Sequence, residues 1–222
     1  RLFSDRRLPL TVFAVATALE KNPEIVEAMI EANWEIASHG LKWIDYKDYG
    51  RDKERAHIEK AIRIHEKLTG QAPKGLYQGR SSENTLDIAM EMDCFDWLAD
   101  SYADELPYWV QAYEKPHLIV PYTLDANDMR FATNQGFNSG DQFFTYLKDS
   151  FDVLYAEGTG TEKYPAAPKM LSIGLHCRLV GRPGRAAALA RFLDYVQSHE
   201  DVWVTRRIDI ADHWRATHPP KA

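Results

Sequence analysis

Two histidines stand at the ends of short apolar segments, where catalytic side chains often lie. Residues 170–175 predict a buried strand that leads into His176, and residues 34–39 predict another strand that ends at His39. In (β/α) barrels the catalytic groups come from the carboxyl ends of the strands, which meet on one face. Because an imidazole titrates close to neutral pH, we expect both histidines to act there as acid or base. A structural histidine that binds a backbone carbonyl is the alternative for each.

A long polar stretch, residues 125–140, interrupts the apolar pattern of the chain. Loops of this length in compact domains tend to carry function. We therefore expect Asn127, Asp128 and Arg130 to line the pocket that the strand ends form.

The composition indicates one globular domain that covers residues 1–222. The chain has 222 residues, of which 45% are hydrophobic, enough for one sizeable core. The net charge of −6, without a basic patch, predicts no nucleic-acid partner. No apolar run reaches about 18 residues, so no membrane association is predicted. Two cysteines, Cys94 and Cys177, indicate reduced thiols and a cytoplasmic protein rather than a disulfide framework.

Apolar segments alternate with helical patterns along the chain. The predicted strands are residues 9–15, 34–39, 75–79, 94–100, 118–122, 170–175 and 202–205. The clearest of the helices between them is the amphipathic pattern over residues 52–68. Such alternation predicts an α/β fold with a parallel sheet. A closed or nearly closed barrel is favoured over an open doubly wound sheet, because the chain has no glycine-rich dinucleotide turn and no phosphate loop.

Five motifs then occur in a fixed order. They are Ser38-His39-Gly40-Leu41-Lys42-Trp43, Tyr77-Gln78-Gly79-Arg80-Ser81-Ser82-Glu83-Asn84-Thr85, Leu106-Pro107-Tyr108-Trp109, residues 121–131, and Gly174-Leu175-His176-Cys177-Arg178. Together they resemble the metal-independent allantoinases of the polysaccharide deacetylase (NodB-like) superfamily, over residues 9–214. The resemblance implies a distorted (β/α)7 barrel. The superfamily's first strand and acidic motif precede the region that starts here, so we expect this chain to lack that strand.

The resemblance also implies a reaction, the hydrolytic opening of the hydantoin ring of allantoin to give allantoate in purine catabolism. Water must attack a cyclic amide carbonyl, which requires a base, donors for the oxyanion and an acid for the leaving nitrogen. His176 is the leading base or acid, and His39 is the second catalytic histidine. Asp100 orients a histidine or binds amide hydrogens of the substrate, unless it only caps the following turn.

Arginine and tryptophan side chains are the expected substrate-binding groups besides the polar loop. Arg80 and Arg178 carry forked donors that suit a ureide or an oxyanion, whereas a surface ion pair is the commoner role of arginine. Trp43 forms either core packing or one wall of a pocket for a flat heterocycle.

Trp43 also indicates whether the protein uses a metal cofactor. Metal-dependent members of the superfamily hold a divalent cation with an Asp pair and a His-x-x-x-His motif. Here His39 is followed four residues later by Trp43, and indole is not a metal ligand. We therefore expect no cofactor, with zinc as the alternative.

Three hypotheses remain open. The first is a cofactor-free hydrolase of a small ureide, and the second is a metal-dependent deacetylase of chitin-like sugars. The third is a catalytically inert barrel with a binding role. The family further implies a homo-oligomer, often a tetramer, for which residues 106–113 are the expected contact.

Overall fold

The computed structural model describes residues 1–111 and 115–221. The chain divides into two compact units. The sheet unit comprises Arg1–Pro121 and Val204–Ala222, and the helical unit comprises Tyr122–Trp203. The predicted site residues are distributed over both units, so each unit is described by itself.

The sheet unit is built on a six-stranded sheet in the order β1-β2-β3-β4-β6-β5. The strands are β1 (Thr11–Ala14), β2 (Glu35–Ser38), β3 (Gly75–Leu76), β4 (Trp97–Leu98), β5 (Tyr108–Val110) and β6 (His117–Ile119). Neighbouring strands run parallel, except that β5 is antiparallel to β6. Ser38 pairs with Leu76, and Leu76 with Leu98, so the chain leaves β2, β3 and β4 at adjacent points of one sheet edge.

Eight α-helices and one 3-10 helix lie in the described part of the chain. They are α1 (Ala16–Lys21), α2 (Pro23–Glu31), α3 (Arg51–Thr69), α4 (Thr85–Glu91), the 3-10 helix (Asp128–Ala132), α5 (Gly140–Thr159), α6 (Cys177–Val180), α7 (Pro183–Gln197) and α8 (Arg207–Thr217). The helices α1 to α4 and α8 belong to the sheet unit, and the others belong to the helical unit.

Apolar side chains of strands and helices form the core of the sheet unit. One cluster joins Leu76, Leu98 and Ile119 of the central strands to Ala89 and Met90 of α4. These residues are at most 3% exposed, because the central strands of a parallel sheet are covered on both faces. The burial removes their apolar surface from water, which stabilises the sheet by roughly 25 cal/mol for each square ångström buried.

A buried carboxylate anchors α8 to the start of β2. Glu35 Oε2 accepts hydrogen bonds from Thr11 Oγ1 at 2.6 Å and from the Ile208 amide at 3.0 Å, and Oε1 accepts one from Trp97 Nε1 at 3.0 Å. Burial raises the pKa of Glu35, although these hydrogen bonds and the charge of Arg207 act in the opposite direction. The last helix of the chain is therefore tied to its first two strands by polar contacts as well as by packing.

The helical unit has its core between α5 and α7. Phe143, Leu147, Leu189 and Phe192 are at most 2% exposed. Ser139 begins α5 as its cap, because its Oγ accepts a hydrogen bond from the Gln142 amide at 3.2 Å. Both helices lie between apolar segments of the sequence, as the predicted alternation requires.

Two of the predicted strands are wrong. Residues 170–175 form no strand, and their backbone makes one isolated parallel bridge, between Gly174 and Asn127. Residues 202–205 form no strand either; Trp203 is 59% exposed, and the Thr205 hydroxyl donates to Asp209 in the first turn of α8. The apolar character of both segments had suggested a sheet, but within residues 1–111 and 115–221 neither segment has a strand neighbour to pair with.

One strand was not predicted. β5 lies in the segment 106–113 that we had expected to mediate an oligomer contact, and it pairs antiparallel with β6 through Tyr108 and Ile119. Residues 112 and 113 lie outside the described part of the chain, so the oligomer contact stays a prediction. Within residues 1–111 and 115–221, no helix combines the length and the apolar character needed to cross a membrane.

A glycine in β3 makes room for the largest buried ring, and this close approach predicts a stability effect. A Cβ at Gly75 would overlap the indole of Trp97, which is 0% exposed. Gly75→Ala should therefore lower the free energy of unfolding by about 1–3 kcal/mol, the usual cost of overpacking a core. Urea denaturation measures the change, and Gly184→Ala, where a Cβ would meet nothing within 4 Å, serves as the control. Equal stability of both variants would contradict the packing described here.

Candidate active-site groups

The helical unit holds a histidine and a carboxylate in direct contact. His176 Nδ1 lies 2.6 Å from Asp128 Oδ1. Asp128 Oδ2 accepts hydrogen bonds from the amides of His176 at 2.7 Å and Val180 at 3.1 Å. The Asp128 side chain is 0% exposed, whereas that of His176 is 23% exposed. A fully buried carboxylate thus holds an imidazole that remains accessible to a small molecule.

Local backbone structure brings these two residues together. The amide of Asp128 donates to the Gly174 carbonyl at 3.0 Å, and the amide of Gly174 donates to the Ala126 carbonyl at 2.8 Å. Gly174 has no Cβ, and one would collide with the Tyr122 hydroxyl and the Asn127 carboxamide. The bridge therefore requires glycine at this position, two residues before His176.

The contact with Asp128 determines which nitrogen of His176 can do chemistry. A buried carboxylate only accepts hydrogen bonds, so the proton of a neutral imidazole resides on Nδ1. The lone pair is then on Nε2, which can take a proton from water. Asp128, predicted to bind substrate, is placed instead as the partner that orients His176.

The sheet unit positions the second histidine at the end of β2. His39 Nδ1 lies 2.5 Å from the carbonyl oxygen of Tyr77, which follows β3. The two aromatic rings are stacked, with centroids 5.4 Å apart and an angle of 4° between their planes. Because a carbonyl only accepts, Nδ1 carries the proton and Nε2 the lone pair, the same tautomer as in His176.

Glycines on both sides of this contact allow the close approach. Gly40 has a φ of 71° and Gly79 a φ of 72°, in the left-handed region that favours glycine. A Cβ at Gly79 would lie 3.1 Å from His39 Cε1, and one at Gly40 would lie 2.5 Å from Gln78 Oε1. The turn after β3 therefore fits tightly against the turn after β2.

Asp100, at the end of the predicted strand 94–100, does not bind a histidine side chain directly among the contacts described. Its Oδ2 accepts from the Gln78 amide at 2.5 Å and its Oδ1 from the Gly79 amide at 2.7 Å. Burial raises the pKa of Asp100 to about 6, and the charge of Glu54 acts in the same direction, whereas the two amides lower it. The carboxylate thus fixes the turn that contacts His39.

The shifted pKa of Asp100 gives a testable titration. The folded protein favours the protonated form more than water does, so Asp100 stays protonated up to about pH 6 and is ionised above it. In NMR spectra recorded against pH, the Asp100 carboxyl carbon and the amides of Gln78 and Gly79 should shift together with a midpoint near 6. Asp209 serves as the internal contrast, because hydrogen bonds from Arg206 lower its pKa to about 2. A midpoint of Asp100 near its ordinary value would contradict the burial described here.

Arg80 and Trp43 form a stacked pair in the same unit. The Arg80 guanidinium lies over the Trp43 ring, 4.3 Å from its centroid, and Trp43 is 44% exposed. Another buried carboxylate, that of Glu54, accepts from the hydroxyls of Ser82 and Thr85 and so holds the segment that follows Arg80. Trp43 is therefore not core packing, and the pair presents a flat aromatic surface beside a cation.

The other three predicted binding residues have different surroundings. Asn127 is 7% exposed and binds the Tyr122 hydroxyl at 2.9 Å and the Met129 amide at 2.8 Å, which makes it part of the loop's internal structure. The Arg130 guanidinium lies 4.5 Å from the ring centroids of both Phe137 and Tyr146. Arg178 is exposed, and its guanidinium donates to Met129 Sδ at 3.7 Å.

The residues around His39 do not match a metal site of the superfamily type. The position of the second imidazole is occupied by Trp43, whose ring is engaged by Arg80. Among residues 1–111 and 115–221, no group of three or more histidine, cysteine, aspartate or glutamate side chains is arranged to hold a metal ion. The side chains described around His39 therefore do not supply the ligands that such an ion requires.

Comparison with known proteins identifies the family. The polysaccharide deacetylase family matches residues 1–94. A Schizosaccharomyces pombe protein, provisionally named a polysaccharide deacetylase, is 42% identical over 239 residues, which cover 100% of this chain and 72% of that protein. The chain belongs to the polysaccharide deacetylase family, a family of hydrolases.

Two crystal structures share the fold. A Pseudomonas aeruginosa PAO1 protein, provisionally named a polysaccharide deacetylase, matches with a TM-score of 0.94 and 57% identity over 99% of this chain and 72% of its own. The Puue allantoinase matches with a TM-score of 0.94 and 56% identity, with the same coverage. These matches confirm the predicted fold class, an α/β fold of the distorted (β/α)7 barrel type.

Proposed function

We propose that this protein hydrolyses the hydantoin ring of allantoin to allantoate without a metal cofactor. The observation that carries the proposal is the Trp43–Arg80 pair, because Trp43 stands four residues after His39, where a metal-dependent deacetylase needs a second imidazole. Its 56% identity to a crystal structure named as an allantoinase supports the same substrate.

In this proposal His176 is the base. Its Nε2 removes a proton from water while the oxygen attacks the ring carbonyl, and the ring carbon–nitrogen bond then breaks. The proton held on Nε2 is returned to the leaving ring nitrogen, and the new carboxyl group releases its proton to solvent. One water is consumed, and the single product, allantoate, carries a carboxylate and a free ureido group. Asp128 keeps Nδ1 protonated during both transfers and stabilises the imidazolium that forms between them.

Recognition of the ureide is assigned to Arg80 and Trp43. The guanidinium presents planar donors that match the carbonyl oxygens of a ureide. Because Arg80 is stacked on the indole, less side-chain freedom is lost when it binds substrate. His39, whose Nε2 carries a lone pair, is the second group able to exchange protons with the substrate.

Turnover of two substrates by the full chain tests the proposal. Allantoin and a chitin-type oligosaccharide are supplied separately, and ring opening and acetate release are followed by mass spectrometry. Formation of allantoate without acetate release is the result we expect. Acetate release without allantoate would overturn the assignment.

A second candidate function is metal-dependent deacetylation of sugars. The names of the Schizosaccharomyces pombe and Pseudomonas aeruginosa relatives favour it. This function predicts that added zinc stimulates acetate release and that Trp43→His increases it further, because the change restores the His-x-x-x-His pattern. Under the allantoinase proposal, Trp43→His instead weakens allantoin binding, which is read as a higher KM.

A further inference from the structure

One peptide group in the sheet unit is bound at both ends by candidate active-site residues. The carbonyl of the Tyr77–Gln78 peptide accepts from His39 Nδ1 at 2.5 Å. The N–H of the same peptide donates to Asp100 Oδ2 at 2.5 Å. Because the peptide bond is planar and conjugated, the two hydrogen bonds lie at opposite ends of one polarisable unit.

Hydrogen bonds in such a chain strengthen one another. A carboxylate that accepts from the N–H draws that proton towards itself and increases electron density on the carbonyl oxygen. The carbonyl then accepts more strongly from His39 Nδ1, by about a tenth to a third in condensed phases. The effect grows where water is excluded, and Gln78, which supplies the N–H, is 3% exposed.

We propose that Asp100 is a positioning residue that fixes the tautomer and the basicity of His39 through the Tyr77–Gln78 peptide. The arrangement corresponds to the Asp128–His176 pair, with a peptide group inserted between carboxylate and imidazole. Its importance for turnover rests on the proposed function, in which His39 exchanges protons with the substrate. The relay itself is a property of the protein without substrate.

The second oxygen of Asp100 fixes the orientation of the carboxylate at the start of the relay. Oδ1 accepts from the Gly79 amide at 2.7 Å, so the carboxylate binds two consecutive amides and its plane is fixed. Gly79 in turn lies against His39 Cε1, where even a Cβ would be only 3.1 Å away. The turn can therefore not move away from Asp100 without moving relative to the imidazole.

The direct test is NMR of the full chain labelled with 13C and 15N, without substrate. In the wild type we expect the Nδ1–H tautomer of His39 and a scalar coupling across the hydrogen bond to the Tyr77 carbonyl carbon. Asp100→Asn keeps the shape, removes the charge and replaces one acceptor oxygen with an NH2 group that faces a backbone amide. In this variant the His39 Nδ1–H resonance should move upfield. Its exchange with water should accelerate about threefold or more, as the hydrogen bond weakens.

Two control variants separate a relay from a structural role. Tyr77→Phe keeps the peptide and should leave the His39 tautomer unchanged. Asp128→Asn should alter the resonances of His176 and leave those of His39 in place. If Asp100→Asn shifts the amides of Gln78 and Gly79 but leaves His39 Nδ1–H unchanged, Asp100 only holds the turn and the relay is refuted.

The wild-type coupling keeps the proposal falsifiable if Asp100→Asn does not fold. Absence of the coupling between His39 Nδ1 and the Tyr77 carbonyl carbon would by itself overturn the relay. Because these spectra are recorded without substrate, they give the same answer whether or not allantoin is turned over. If the protein turns over allantoin, Asp100→Asn should lower kcat and leave KM nearly unchanged.

Discussion

His176→Ala is expected to slow allantoin hydrolysis by about 10²–10⁴-fold, the usual loss when a general base is removed. The structure gives the reason, since Nδ1 is held 2.6 Å from Asp128 Oδ1 and Nε2 is the nitrogen that can take a proton from water. The change should lower kcat far more than it raises KM, because a base acts on the transition state rather than on the bound substrate. Steady-state kinetics on purified protein measure both values.

A matched control for this variant is His213→Ala. His213 lies exposed on α8, outside the groups assigned to the reaction, and its loss should leave turnover unchanged. Circular dichroism and thermal unfolding of both variants check that the fold is intact. If His176→Ala retains turnover within a factor of two of the wild type, another residue must be the base.

The second large effect is expected from Asp128→Asn, which should lower kcat by about 10²–10⁴-fold. Asp128 Oδ2 accepts from two backbone amides, those of His176 and Val180. In the variant the carboxamide oxygen takes over these amides, and the NH2 group then faces His176 Nδ1. Since Nδ1 must now accept, the proton moves to Nε2 and the base loses its lone pair.

Two measurements check this tautomer argument. 15N NMR of His176 should change from the Nδ1–H to the Nε2–H form in Asp128→Asn. The double variant with His176→Ala should be no slower than His176→Ala alone, because both changes disable the same unit. Asp141→Asn, which removes only the carboxylate of an exposed ion pair with Arg191, is the control. Additive losses in the double variant would show that Asp128 acts independently of His176.

The sequence was sufficient to predict the elements whose structure depends on the local pattern of side chains. Apolar runs predicted β1 and β2, and the amphipathic pattern over residues 52–68 predicted α3 to within one residue at each end. The turn after β2 was also predicted to bring His39 to a strand end. In each case the periodicity of side chains along the segment is what selects helix or strand.

The side-chain pattern was insufficient to predict strands that depend on partners distant in the sequence. Residues 170–175 are as apolar as a strand, but they pair only through Gly174, and a segment becomes a strand only if a neighbour accepts its hydrogen bonds. β5 shows the opposite case, because it is recognisable only from its pairing with β6. Strand assignment therefore needs the sheet, which sequence periodicity does not provide.

The candidate site illustrates the same limit. His176 and His39 were singled out from their positions after apolar segments, but the pairing of His176 with Asp128 and of His39 with the Tyr77 carbonyl was not predicted. Asp128 lies 48 residues before His176, and Tyr77 lies 38 residues after His39. A signal for Asp128 existed in the polar loop, whereas the Tyr77 contact uses a backbone carbonyl, which every residue has. The convergence of all strand ends on one face stays a prediction.

The central claim, ring opening by protein groups without a metal, is tested most directly on one sample. The full chain is exhaustively chelated, its metal content is determined by mass spectrometry, and allantoin turnover is measured on the same preparation. We predict full activity at a metal content far below one ion per chain, and no stimulation by zinc. Activity that is lost on chelation and restored by zinc would contradict the account and make the metal-dependent deacetylase chemistry of the family the better description.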